Sequence, residues 1–341
     1  MGGCSVVSIR DVAQRAEVSI GTVSKYMNMP HRVAPDTQKR VKKAIDELGY
    51  VRNEAARQLR AGVSPVIALV AMELNNPFFG EFADSMERRA ADNGLYLYIA
   101  SSSGDPEREA RYIEMFVQQH VYGIALSSGL TRQRELDLLL QRAIPTVLVD
   151  AYLPSKQFSS TSVDDFLGAQ WAVEHLIEQG SRSVAFVGGD IHVHQIGERA
   201  RGSKVAVEAH PGVRLEVITT AERSVMDGIA AGEQILGRPA SARPDGILAA
   251  NDSLAMGLMQ AFAADGSVRV PQDIAIVGYD DINFAASAAV PLSSVRRPRE
   301  VFGRSVVDLL RDQAESPGEK TVRNIIVQPE LIVRASSRRK A

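Results

Sequence analysis

The sequence has very little cysteine: one residue, Cys4, in 341. A lone cysteine makes no internal disulfide, which fits a chain kept in a reducing compartment. Long apolar runs are missing as well. No stretch reaches the roughly 18 residues that a membrane-crossing helix needs. The opening MGGCSVVSIRDVAQ has neither a basic n-region nor an apolar h-region, so no secretory leader is expected and the cytoplasm is the expected location. Catalytic signatures are equally scarce. HVH at 192–194 has no further ligands at metal-site spacing, and GGD (188–190) and SSG (127–129) read as strand-end turns. Neither is a G-x-S-x-G elbow or a phosphate loop. No catalytic residue, metal or cofactor is expected, and the chain does not read as an enzyme.

What is present is enough material for two or three domains, with 45% apolar and 23% charged residues, an ordinary globular balance. The formal net charge of −2 hides an asymmetry: residues 1–63 hold eleven Lys and Arg against six Asp and Glu. A basic head on an acidic body points to a polyanion as the partner of the head.

The head reads as three short helices. Ile9, Val12, Ala13 and Ala16 recur at helical spacing behind a capping Ser8, and Asp11 is favourable in the first turn. Ser19 can cap a second helix whose Val23 and Tyr26 or Met27 face inward. Pro35 opens a third, carrying Val41, Ala44, Ile45 and Leu48, and Gly49 stops it. Two helices joined by so short a turn and braced by a third make a helix-turn-helix. A plain three-helix bundle is the alternative; the positive charge and the polar outer face of Gly21, Thr22, Ser24, Lys25 and Asn28 favour a DNA reader.

IRDVAQRAEVSIGTVSKYMN (9–28), followed by ARQLRAG at 56–62, resembles the DNA-binding head of the LacI/GalR family of bacterial transcription regulators. The resemblance implies that Ile20, Gly21 and Lys25 read major-groove base edges. It implies that Ser19, Thr22, Ser24, Asn28 and Thr37 hold phosphates or register, with Arg32 on base or backbone. Two positions depart from the family pattern. Glu17 stands in a turn where glycine is preferred, and Lys25 replaces an arginine, giving up a planar fork for a flexible point charge. In NEAARQLR, 53–60, the resemblance makes Asn53, Ala56 and Leu59 DNA contacts. Leu59 would wedge into the minor groove when two hinge segments pair. The expected layout is a head at 1–52, a hinge at 53–63, and a body at 64–341.

From residue 66 onward, apolar strand candidates alternate with helical patterns. The strands are 66–72, 95–100, 122–128, 145–150, 183–189, 214–220, 245–251 and 273–281. The helices lie near 79–93, 106–119, 132–142, 167–179, 196–209, 224–236, 252–265 and 299–314. Such alternation predicts parallel sheets covered on both faces, and the strands are too many for one compact sheet. The alternation thus predicts an α/β two-lobed body behind the all-α helix-turn-helix head, and the resemblance implies that this body is a periplasmic-binding-protein-like effector domain. The family pattern continues through NPFF (76–79), GERARG (197–202), ILAANDSLAMG (247–257) and IAIVGYDD (274–281). It implies crossings between lobes near 160, 291 and 322. The first lobe would take about 64–160 and 291–321, the second about 161–290 and 322–341.

Ligands of open α/β sheets sit beyond the carboxyl ends of the strands. There the resemblance implies Arg199 and Asp280 as the residues that hold effector most directly. Asn251 and Asp150 come second, and Phe79 forms an apolar wall. Asp252 and Asp281 are expected only to cap the following helix or turn. Arg223 falls where the family often has an aromatic; turned inward, it would give a pocket with a preference for anions. The implied partners are operator DNA, a carbohydrate-like and possibly anionic effector, and a second copy of the chain. No membrane is among them. A sugar-binding transport protein would match the body alone, but not the basic head.

Overall fold

The computed structural model describes residues 7–50, 64–127, 131–150, 157–316 and 322–339. The chain divides into two compact units, 1–63 and 64–341. Asn53, Ala56 and Leu59 lie outside the described residues.

The first unit contains α1 (Ile9–Arg15), α2 (Ile20–Asn28), a 3₁₀ turn (Pro30–Arg32) and α3 (Pro35–Leu48). Ser8 and Asp11 form a reciprocal capping box: Ser8 Oγ accepts the Asp11 N–H, and the Asp11 carboxylate accepts the Ser8 N–H at 2.7 Å. The Ser8 N–H and hydroxyl both donate to the Asp11 carboxylate at 2.7 Å and hold it below the usual carboxylate range. Pro35 occupies the first turn of α3, and Gly49 ends it in the left-handed region at φ 61°. The core is Val12, Ala13, Ala16, Val23, Val41 and Ala44, with Tyr26 and Met27 both half-buried against it. Three of the six are alanines, and small side chains let the helices approach closely.

The second unit holds two six-stranded sheets. In the first, β1 (Val66–Ala71), β2 (Tyr96–Ser101), β3 (Gly123–Ser127), β4 (Thr146–Val149), β5 (Ser159–Val163) and β11 (Asn324–Val327) run in the order β11-β5-β4-β3-β1-β2, all parallel. The second contains β6 (Ser183–Gly188), β7 (Arg214–Thr219), β8 (Gly246–Ala249), β9 (Ala275–Asp280), β10 (Ser293–Arg296) and β12 (Glu330–Ile332). Its order is β12-β10-β9-β8-β6-β7, with only β12 antiparallel. Strands such as VIALVA in β1 and AIVGYD in β9 are buried along their whole length, because helices cover both faces. The helices are α4 (Pro77–Ala91), α5 (Pro106–Gln118), α6 (Gln133–Gln141), α7 (Asp165–Glu178), α8 (His194–Glu208), α9 (Val225–Leu236), α10 (Asp252–Asp265), α11 (Asn283–Ser287) and α12 (Arg299–Glu315).

The crossings between lobes differ from the expected ones. β5 stays in the first sheet to Val163, β10 belongs to the second sheet, and β11 returns to the first. The chain therefore changes lobe between β5 and α7, between β10 and α12, and between β11 and β12, each a few residues later than expected. The cause is local. SSTSV, SSVR and NIIV are strands of four or five residues at the crossings, the first two mostly polar, and their pairing is set by tertiary register rather than by a long apolar run.

Candidate functional site

One candidate site is the outer face of α2. Ser19 caps the helix, its Oγ accepting the Thr22 N–H at 3.1 Å and lying 2.9 Å from the Thr22 hydroxyl. Ile20, 43% exposed, stands beside exposed Gly21, with exposed Lys25 and Asn28 further along; Thr22 and Ser24 are half-buried. Arg32 is exposed in the 3₁₀ turn, and Thr37 is half-buried in the first turn of α3. Ion pairs neutralise much of the remaining basic surface of the head: Arg15 with Glu47, Lys39 with Asp36, Lys42 with Asp46 and Lys43 with Glu47. Among the described residues Arg10, Lys25, Arg32 and Arg40 have no acidic partner, and Lys25 and Arg32 place uncompensated charge on and just beyond the exposed helix. The turn before α2 places Glu17 at φ 53°, the left-handed conformation that explains why glycine suits this position.

The second candidate is the cleft between the two sheets. Asp150 follows β4, Asp280 ends β9 and Asn251 precedes α10, so all three sit at carboxyl ends of strands, as does the start of α8 that carries Arg199. Asp150 and Asp280 adopt φ of 57° and 104°. Non-glycine residues pay about 1–3 kcal/mol for such backbone and keep it where surroundings over-determine them. Here the surroundings are a buried charge network. Its centre is Arg297, 3% exposed, in the crossing between β10 and α12. Its guanidinium pairs with Asp150, lies 3.6 Å from Asp280 Oδ1 and stacks 3.7 Å from the centroid of the Phe78 ring. Arg199 donates through Nε to Asp165 at 2.8 Å, through Nη1 to the Ala250 carbonyl, and lies 3.6 Å over the Tyr279 ring.

Burial pushes the Asp150 and Asp280 carboxyls up from their usual range, and Arg297 and Arg199 pull them partly back. Burial works against the charge of Arg199 as well, but Asp165, Tyr279 and Asp280 more than offset it, and its pKa is raised. Asp150 Oδ1, Asp280 Oδ1 and Arg297 Nε are buried without a hydrogen-bond partner. Three orphaned polar atoms in one network, two acceptors and one donor, suit a hydroxyl-rich guest or ordered water.

Contacts that join the lobes include the Asn76 amide donating to Asp280 Oδ2 at 2.9 Å, the Arg223–Glu73 pair at 3.1 Å and the Asn283 N–H donating to Glu81 at 3.0 Å. These neighbours bear on the expectation of an anion-seeking pocket. Arg223 does turn inward, but Arg199, Arg223 and Arg297 are matched by Asp150, Asp165, Asp280 and Glu73, leaving no surplus of positive charge.

The other expected residues are more occupied with structure. Asn251 Oδ1 caps α10 by accepting the Leu254 N–H, and its amide donates to the Arg223 carbonyl. Phe79 is buried edge-on against Phe78, their centroids 5.6 Å apart. Asp252 and Asp281, expected to cap the next helix or turn, bond elsewhere. Asp252 accepts from the Ile282 N–H and the Ser294 hydroxyl, and Asp281 pairs with Arg296 and Arg334. Arg297, Asp165, Asn76 and Glu73 were not singled out from sequence. Arg297 stands in RRPRE, which reads as a solvated charge run, and only the fold delivers its two carboxylates.

With this geometry in hand, the chain can be set beside known proteins. Residues 8–53 match the family described as bacterial regulatory proteins, lacI family, and 173–337 match a periplasmic binding protein-like domain. The HTH-type transcriptional regulator DegA of Bacillus subtilis is 32% identical, over 97% of this chain and 98% of that protein. The HTH-type transcriptional repressor PurR of Klebsiella pneumoniae is 30% identical over 97% of each. Among solved structures, the complex of the transcriptional regulator CelR with cellobiose is 30% identical, with a TM-score of 0.71 over 97% of this chain and 99% of that one.

Proposed function

Because the chain belongs to the lacI family of bacterial regulatory proteins, we propose that it acts in the cytoplasm as a homodimeric repressor. Its operator would be an approximate palindrome, and a small carbohydrate-like molecule in the interlobe cleft would control its grip on DNA. It is a DNA-binding transcription regulator, not an enzyme, as are the relatives that match it along nearly their whole length. The observation that carries the operator reading is the exposed, uncompensated face of α2, where Ile20 and Lys25 flank a glycine that leaves room for a base edge. Ser19, Thr22, Ser24, Asn28, Arg32 and Thr37 would hold the backbone. Asn53, Ala56 and Leu59 would enter the minor groove at the operator centre.

Two apolar surfaces favour a dimer. Edge strand β2 exposes Tyr96, Tyr98 and Ile99 at 64%, 52% and 46%, an open flank that a monomer would rarely leave bare. In the second lobe, Met256, Met259, Val268, Val270 and Val290 line an apolar cavity of about 280 Å³. A carbohydrate-like effector is favoured by the buried carboxylate–guanidinium network and by the cellobiose that the CelR regulator binds. Incubating the purified chain with a pool of random duplexes tests the reading. Retained duplexes should share a near-symmetric sequence and be released steeply as salt rises; retention of no duplex, or of all alike, contradicts it.

A further inference from the structure

Arg223 differs from the other two arginines of the cleft. Arg199 and Arg297 are almost fully buried, and their carboxylate partners are buried with them. The Arg223 side chain is 15% exposed, and that of its partner Glu73 is 24% exposed. Glu73 follows β1 in the first lobe, and Arg223 precedes α9 in the second, so the pair bridges the lobes. Its aim is fixed from two sides. The Arg223 carbonyl accepts the Asn251 amide at 3.0 Å, and the side chain lies over Gly189. A Cβ at 189 would stand 3.3 Å from Nη1 and 3.4 Å from Cγ, so glycine gives this arginine its path.

We propose that the Glu73–Arg223 pair is a specificity device that reserves the cleft for uncharged, hydroxyl-rich ligands. This rests on the reading of the cleft as the ligand site. An anion entering the cleft finds Arg199 and Arg297 held by Asp165, Asp150 and Asp280, which leaves Arg223 as the accessible cation. To take it, the anion must displace Glu73, whose charge then stays beside it in a partly buried site. Like charges at short range in such surroundings disfavour one another strongly. A neutral polyol meets no such opposition, and its hydroxyls can donate to Asp150 Oδ1 and Asp280 Oδ1 and accept from Arg297 Nε. Removing the charge of Glu73 should therefore turn Arg223 into an anion site.

Inorganic phosphate is the probe, titrated against thermal unfolding of the full chain at constant ionic strength, in wild type, Glu73→Gln and Glu73→Gln/Arg223→Gln. Phosphate should bind Glu73→Gln at least about tenfold more tightly than wild type, and the double variant should lose that gain. Glu73→Ala repeats the test should the amide itself perturb the loop. Equal responses in wild type and both Glu73 variants overturn the proposal, and so does a gain that survives loss of Arg223. No DNA enters the titration, so a chain that retarded no duplex would remove the regulator reading and leave this result standing.

Discussion

Lys25 and Arg40 are both exposed bases without acidic partners among the described residues, yet they belong to different roles. Lys25 projects from α2, where a donor can meet guanine O6 or N7; Arg40 is on α3, suited at most to a phosphate. Lys25→Ala should flatten discrimination among operator variants, costing about 1–3 kcal/mol on the preferred base and little on others. Arg40→Ala should weaken every duplex alike and lower the salt slope. Competition titrations against single-base operator variants separate the two outcomes. Glu17 makes a second, purely conformational prediction. Its φ of 53° strains a side-chain-bearing residue, so Glu17→Gly should stabilise the head by about 1 kcal/mol. Slower amide exchange at Val12 and Val23 would show it; unchanged or faster exchange would mean that the turn is not strained.

The segment between β10 and α12 is short, but it carries the buried cation that both lobes share. Arg297→Gln would leave Asp150 and Asp280 ionised without a guanidinium, and breaking a buried pair from one side costs about 3–5 kcal/mol. The direction of the shifts sets the pH dependence. Burial already raises both carboxyls, and loss of Arg297 raises them further, so the folded variant takes up protons more readily than its unfolded chain. Its deficit in thermal stability against wild type should be largest at neutral pH and shrink on acidification toward pH about 5; a deficit independent of pH would place the damage elsewhere. The same segment marks where sequence reading stopped. The eight strands and the eight helices expected in the body were legible because buried parallel strands are apolar runs and covering helices carry a 3.6-residue period. β5 and β10 were not, since SSTSV and SSVR are largely polar, and β11 and β12 were not, since NIIV and ELI are runs of only four and three residues; all four are paired by register at the crossings. The site was legible in the same uneven way. Aspartates at strand ends announce themselves by position, whereas Arg297 and Glu73 acquire meaning only from what the fold brings to them.

At the scale of the whole molecule, the proposed function couples a head that meets DNA to a body that senses a ligand through a two-copy assembly. Tyr98 lies on the bare edge of β2; in the proposed dimer a charge there would meet its own copy across the two-fold axis. Tyr98→Glu should lower the sedimenting mass from dimer toward monomer and weaken operator binding, leaving the body folded by circular dichroism. Coupling between the two sites is reciprocal by thermodynamic necessity: a ligand that changes operator affinity must itself bind differently to the operator complex. The most direct measurement is a fluorescence anisotropy titration of a selected operator duplex, with and without cellobiose and other neutral sugars, in wild type and Asp280→Asn. At least one neutral sugar should shift operator affinity by about fivefold or more in wild type, within the usual range of allosteric coupling, and leave Asp280→Asn unmoved. Superimposable curves for every sugar in wild type, or an equal shift in the variant, would contradict it.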